Sequence, residues 1–409
     1  MPPLKVSNSS PGALTGSLVL EWSSSRSGAY AGKLLRGLGA DVVLLEGPSD
    51  DRDSSLGPGP IPTHDAELAA RTRFLHGGKE SCGFDPADAA SVSLRDALLR
   101  EAAILLIDQP MATAEGLGMR PEDLAERFPH LLVVVMTLAG LRGEARYWKK
   151  SDLVSHAIGG IAHSTPARVP DPRTYPPLKP GGYQADYTLG MTAANASLLG
   201  LQLRRRTGKG QLIDVSAQAM LASYLRMDVA YRTYGMGDSL NISGIDRHSP
   251  TGRPSTIWGL VPCKDGYFAF QATEQYQWDG LMRMMGDPEW SKDSRFQDPV
   301  ERAQRWDEIE PHFIAWCMER TKREIFHGGQ AEHVPVFACF NVEELLTDDQ
   351  QVARAFFVDL PNDHGSDVIK VPGAVVHLEK TPWQPSFEPP ARGADTAALS
   401  QRFAEVRVS

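Results

Sequence analysis

The sequence predicts an α/β protein, with a parallel sheet in its N-terminal third followed by a smaller α+β domain. Three observations predict it. SLVLEW (17–22) is a buried-strand pattern, SSSRSGAYAGKLLRGLG (23–39) a loop running into an amphipathic helix, and ADVVLLEGP (40–48) a second apolar strand, which together make a βαβ unit. Two more apolar runs, AAILLID (102–108) and LLVVVMTLAG (131–140), extend the sheet. Beyond the helix pattern that ends at Tyr234 the texture changes to hairpin and helix patterns with long polar connections.

Each element has its own reason. A helix starts at RPEDLAERF, where Pro121 suits a first helical position. Residues 49–65, SDDRDSSLGPGPIPTHD, are too polar and too rich in Gly and Pro to pack, and read as a surface loop that could close over a ligand. Nothing but isolated glycines interrupts a helix from Asp186 to Arg206, and Gly190, Ala194, Ser197 and Leu201 share one face of it. A face that small is built for close approach to another element. TGKG then turns the chain into the strand QLIDVS and a helix from Ala217 to Tyr234. WGLVPCKDGYFAFQAT reads as a hairpin turning at Lys264 to Gly266, and helices follow at Gln277–Met285, Glu301–Glu319 and TKREIFHGGQAEH. The C-terminal part holds a hairpin-like VIKVPGAVVHL and a last helix at TAALSQRFAEV. The expected domains are a large one at 1–224, a small α+β one at 225–330, and a segment at 331–409 that returns to the first.

Composition narrows the function. A chain of 409 residues exceeds what one core usually fills. The net charge of −9 makes nucleic acid an unsuitable partner. Four scattered cysteines, Cys82, Cys263, Cys317 and Cys339, have no metal-ligand spacing and suggest a reducing cytoplasm, with neither a disulfide framework nor a metal site. No apolar signal core opens the sequence and no run of about 18 apolar residues occurs, so neither export nor a membrane span is expected. The first βαβ unit imitates a Rossmann start, but SGAYAG supplies only Gly28 and Gly32 of a G-x-G-x-x-G, which argues against a nicotinamide cofactor. G-x-S-x-G and H-E-x-x-H are absent, and His156 and His163 read as packing or surface residues. Asp186, between two tyrosines at the start of the long helix, reads on position alone as an N-cap or first-turn acid.

Four blocks taken together resemble the class III CoA-transferases, of the formyl-CoA transferase and carnitine CoA-transferase type, over nearly the whole chain. They are LVLEWSSSRSGAYAGKLLRGLGADVVLLEGP, LGMRPEDLAERFPHLLVVVMTLAG, QADYTLGMTAANASLLGLQLRRRTGKGQLIDVS and VPVFACFNVEELLTDDQQVARAFF. The third block is the most specific. Its acid, before the small-residue helix and the R-x-T-G-x-G-Q turn, is the nucleophile that the resemblance implies, and Asp186 stands there. The resemblance further implies a Rossmann-like large domain, an interlocked homodimer, and CoA contacts at Ser25, Arg26 and Ser27, at Lys79, at Asp108 and Gln109, and at Lys149 with Asp152. It implies acyl-CoA and a small carboxylic acid as substrates, with no permanently bound cofactor and no membrane partner.

Some residues depart from that pattern. DQPMATAEG lacks the Phe and Pro-Gly of a V-E-N-F-x-P-G block, and Ser and Arg replace an apolar loop after the first strand. The Gly-rich loop of the formyl-CoA enzymes is absent around RHSPTGRPS, against that substrate pair. An α-methylacyl-CoA racemase is the rival reading, but Ser151 stands where its histidine would be. A non-catalytic acyl-CoA-binding relative is a third.

Overall fold

A computed structural model of the chain describes residues 11–47, 65–165, 174–234, 258–361 and 368–404. Most of the 49–65 loop, the GMGDSLNISGIDRHSPTGRPS stretch and the end of the last helix pattern lie outside them. The chain divides into two compact units, one drawn from 1–162, 179–224 and 349–409, the other from 163–178 and 225–348.

The first unit is built on β1 (Leu18–Ser23), α1 (Arg26–Gly37), β2 (Asp41–Glu46), α2 (Asp65–His76), β3 (Glu80–Gly83), α3 (Ala89–Glu101), β4 (Ile104–Asp108), α4 (Met111–Gly116), α5 (Pro121–Arg127) and β5 (Leu132–Thr137). It continues through α6 (Asp152–Ile158), α7 (Gln184–Thr207), β6 (Leu212–Ser216) and α8 (Ala217–Ala222). The six strands form one wholly parallel sheet in the order β3-β2-β1-β4-β5-β6. Its central strands are apolar on both faces because helices cover both. Leu20, Leu105, Ile107, Val133 and Val135 point to one core, while Val19, Ile104, Leu106, Leu132 and Val134 point to the other with Leu189, Ala193 and Ala194 of α7. The order reverses between β1 and β4, and in open parallel sheets the crevice beyond the strand ends at that reversal is where ligands bind.

Two glycines that imitate a dinucleotide motif have packing jobs instead. A Cβ on Gly28 would lie 2.4 Å from Ser23 Cβ and 2.8 Å from Asp108 Cβ, and one on Gly32 would run into Glu21 Oε2. Both let α1 sit against the sheet. A Cβ on Gly190 would meet Ser27 O at 2.4 Å, so the small face of α7 is used to bring it onto α1. Lys79 and Glu21, both with wholly buried side chains, form an ion pair of 2.7 Å between these layers.

The second unit contains α9 (Arg226–Thr233), β7 (Trp258–Cys263), β8 (Gly266–Gln271), α10 (Gln275–Met284), α11 (Pro299–Gln304), α12 (Trp306–Met318), α13 (Lys322–Ala331), β9 (Val336–Ala338) and α14 (Val342–Thr347). Strands β7, β8 and β9 make an antiparallel sheet over a core that includes Phe268, Phe313, Trp278 and Ile325. The chain then adds α15 (Asp349–Ala353), β10 (Phe357–Pro361), β11 (Val368–Pro372) and α16 (Thr396–Ala404) to the first unit.

Several elements differ from expectation. The helix expected from Ala217 to Tyr234 is broken at residues 223–225 by a 3₁₀ turn, where Ser223 Oγ donates to the Met220 carbonyl and competes with the helical bonds. The pattern at 301–319 is two helices meeting at Arg305. VIKVP pairs backwards with FVDLP, so the hairpin lies before GAVVHL and not within it. Strand β3 and helices α2, α3 and α4 are among the elements that the sequence patterns do not predict.

Segment 388–396 closes the β3 edge of the large sheet. Gly78 N donates to Glu388 O at 2.9 Å, Ser81 N to Asp395 Oδ2 at 2.8 Å, and Gly83 N to Thr396 Oγ1 at 2.9 Å.

Among the described residues, no helix is long and apolar enough to cross a membrane. No group of three or more His, Cys, Asp or Glu there could hold a metal ion.

Candidate active site

The carboxyl ends of β1 and β4 and the first turns of α1 and α7 bring three buried carboxylates close to one another. Asp108, Asp152 and Asp186 are each 5% exposed or less. What separates them is how much of their bonding capacity is already used.

Asp108 ends β4 and is saturated. Its Oδ2 accepts from Gly28 N (2.8 Å), from Ser27 Oγ (3.0 Å) and from Ser25 Oγ, and its Oδ1 faces Lys150 Nζ at 2.7 Å. The ammonium of Lys150 also donates to both serine hydroxyls. The N-terminus of α1, where the helix dipole and a free N–H would welcome an anion, thus already holds one. Ser25, Ser27 and Asp108, expected as CoA contacts, lie together and bind one another.

Asp152 is half committed to backbone and half to a cation. Oδ1 accepts from Ala185 N at 2.9 Å and Asp186 N at 3.3 Å, and Oδ2 lies 3.0 Å from Lys179 Nζ. Lys179 also donates to the carbonyls of Pro180 and Gly182, tying the glycine loop before α7 to the same carboxylate. His156, one turn along α6, is buried with Nδ1 2.9 Å from the Asp152 carbonyl oxygen. His163 is exposed.

Asp186 is different. It lies in the first turn of α7 and does not cap it, because the N-cap position is Tyr183 and the bonds a capping side chain would accept go to Asp152. Among the described residues its carboxylate accepts no hydrogen bond, and its only ion pair is with Arg26 Nη1, 3.8 Å from Oδ2. Burial raises its pKa to about 6, partly offset by Lys150 and reinforced by Asp152 and Asp108. The helix dipole alone would have favoured the anion, and burial outweighs it. At neutral pH the group is still ionised and its lone pairs are uncommitted.

The remaining expected residues divide. Arg26 stacks on the Tyr183 ring, 3.4 Å from its centroid, beside Asp186. Gln109 is buried with an Nε2 that has no hydrogen-bond partner among the described residues. Lys79, expected near the phosphate end of CoA, has its ammonium committed to Glu21 and to the Ala29 carbonyl, out of solvent. It has no exposed donor to offer a phosphate. Lys149 is exposed, and its neighbour Lys150 enters the network. Sequence reasoning missed Lys150, Lys179 and the stack on Tyr183. Only the cation pattern KK at 149–150 and KPGGY at 179–183 hinted at them.

Comparison with known proteins gives a consistent result. A family model described as CoA-transferase family III matches residues 14–396. A probable CoA-transferase of Mycobacterium tuberculosis, Rv1866, is 28% identical over 80% of this chain, and the match spans 40% of that relative's length. A succinyl-CoA:(R)-benzylsuccinate CoA-transferase subunit, BbsE, of Thauera aromatica is 26% identical over 91% of this chain and 90% of its own. Among solved structures, a CAIB/BAIF family protein from Brucella suis has the same fold, with a TM-score of 0.77, 22% identity, and coverage of 96% of this chain and 100% of the other.

Proposed function

The chain belongs to CoA-transferase family III, and from that premise we propose that it moves CoA from an acyl-CoA thioester to a free carboxylic acid with Asp186 as the covalent nucleophile. One observation carries this reading. Of three neighbouring buried carboxylates, only Asp186 has both oxygens free of hydrogen bonds among the described residues. A desolvated, uncommitted carboxylate held in place gains most from proximity to a thioester.

Asp186 would attack the thioester carbonyl, breaking the C–S bond to give a mixed anhydride and CoA thiolate. The thiolate attacks the aspartyl carbonyl, releases the donor acid and leaves an aspartyl-CoA thioester. The acceptor carboxylate repeats the first step from the other side, and thiolate returns to the new acyl group. Each step exchanges one acyl link for another, with no net proton and no ATP. The N–H groups of Ala185 and Asp186 are engaged by Asp152, which favours the Gly181–Gly182 loop as donor to the developing oxyanions. CoA would lie over the ends of β1 and β4, where Gln109 offers an unpaired amide donor and Lys150, Ser25 and Ser27 offer donors that Asp108 now holds.

Mass spectrometry of the purified protein with acyl-CoAs and free acids should show CoA exchange, and hydroxylamine added during turnover should leave a hydroxamate on Asp186. Turnover without trapping at that peptide would reassign the nucleophile. The racemase alternative gains one observation, the buried His156 against Asp152. It predicts enzyme-dependent α-deuterium uptake by a 2-methylacyl-CoA in deuterated water, and the transferase reading predicts none. An interlocked homodimer in the cytoplasm is part of the same proposal. A monomer by light scattering at micromolar concentration would remove the dimer.

A further inference from the structure

Among the described residues, the buried arginines of the first unit are hydrogen-bonded, with one exception. Arg95 donates from Nε and Nη2 to Asp96, and Arg73 Nη2 lies 3.1 Å from Glu388. Arg26 is 2% exposed and makes no hydrogen bond among the described residues. Its face rests on Tyr183, and Asp186 Oδ2 at 3.8 Å is beyond hydrogen-bond reach. Stacking occupies the face of a guanidinium and leaves the in-plane fork of N–H donors free, the geometry that matches a carboxylate. A buried cation with an empty fork is costly unless an anion arrives.

We propose that Arg26 is the binding group for the free carboxylate substrate. This rests on Asp186 being the nucleophile. In the resting enzyme the Asp186 carboxylate supplies the negative charge beside Arg26. Once Asp186 is acylated or thioesterified it is neutral, and the guanidinium loses that charge. At the thioester stage a free carboxylate is always in play, first the departing donor acid and then the incoming acceptor, whereas in the anhydride the acid is covalently bound and the free anion is CoA thiolate. Arg26 would take whichever is present and hold it beside the aspartyl carbonyl that it leaves or attacks. The same residue repels no substrate, since an anion approaching the neutral thioester no longer meets the charge of Asp186. Arg26 then acts on the acid rather than on CoA.

The test uses the full-length enzyme with succinyl-CoA as donor and (R)-benzylsuccinate or acetate as acceptor. Arg26→Met should raise KM for the acceptor acid roughly 10- to 100-fold while KM for acyl-CoA changes by less than about threefold. It should still yield hydroxamate at Asp186 when mixed with acyl-CoA and hydroxylamine. Arg26→Lys keeps the charge without the fork and should recover part of the acid affinity, which also covers a folding defect in the methionine variant. A rise confined to KM for acyl-CoA would make Arg26 a CoA contact. Unchanged KM values with a lower kcat would confine it to Asp186. Either result overturns the proposal. No transfer by the unsubstituted enzyme with either acid would instead count against the transferase reading for these substrates, and the inference would fall with it.

Discussion

Helices α1 and α7 lie against each other and both begin at the site, yet their N-termini are finished in opposite ways. At α1 the borrowed carboxylate, Asp108, binds the backbone and both nearby hydroxyls, and nothing is left over. At α7 the borrowed carboxylate, Asp152, takes the backbone N–H groups, so the helix's own acid does not have to. A carboxylate that caps its own helix is stabilised and blunted as a nucleophile. Supplying the cap from another helix separates the structural acid from the reactive one.

The strongest way to break this contrast is Asp186→Asn. Transfer should fall roughly a thousandfold or more, as expected when a covalent nucleophile is removed, with acyl-CoA still bound in equilibrium titration. Asn is a good helix cap, so a merely structural acid would tolerate the change with turnover nearly intact.

Asp152→Ala should come next. It strips the acceptor from two N–H groups and the anion from Lys179, which should cost about 1 kcal/mol of stability in denaturant melts and lower turnover roughly 10- to 100-fold by loosening Asp186. An effect on melting alone would mean that Asp186 is held by something else.

Asp108→Asn sharpens the contrast from the other side. Removing the charge that buried Asp108 sets against Lys150 should destabilise the fold by about 3 kcal/mol in denaturant melts, a larger structural loss than at Asp152.

The smallest effect is in pH. Asp186 is raised from 3.8 to about 6 in the folded state, so the folded protein holds a proton there that the unfolded chain has lost. Stability therefore falls as pH rises through roughly 4 to 6 and stays lower above it, by at most about 3 kcal/mol. Asp186→Asn should lack this loss, and its melting curve should draw ahead of the unsubstituted protein across that window. Turnover of the unsubstituted protein should fall below about pH 6, as the nucleophile is protonated.

How far the sequence reveals these things depends on whether the cause is local. Strands β1, β2, β4 and β5 are apolar runs long enough to read directly, and the small face of α7 is a spacing visible in the string. Strand β3, ESCG, is four residues with no alternation and is defined by its pairing with β2. Asp186 could be picked out by resemblance, but not its lack of a capping role, because the side chain that caps α7 lies 34 residues earlier. The choice between Lys149 and Lys150 is likewise set by Asp108, a partner more than 40 positions earlier in the sequence. Gly28 and Gly32 show the converse, a local motif whose use is set by Asp108 and Glu21 from distant strands.

The protected edge at β3 bears on how the chain is made. Its outward N–H groups at Ser81 and Gly83 wait for Asp395 and Thr396, more than 300 residues downstream. During synthesis the large sheet can assemble early, but until those last residues leave the ribosome it presents an unpaired strand edge, the feature by which sheets associate with foreign strands. The hazardous interval is thus set by translation speed across the second unit, and removing the tail from Arg392 onward would leave that edge open for good.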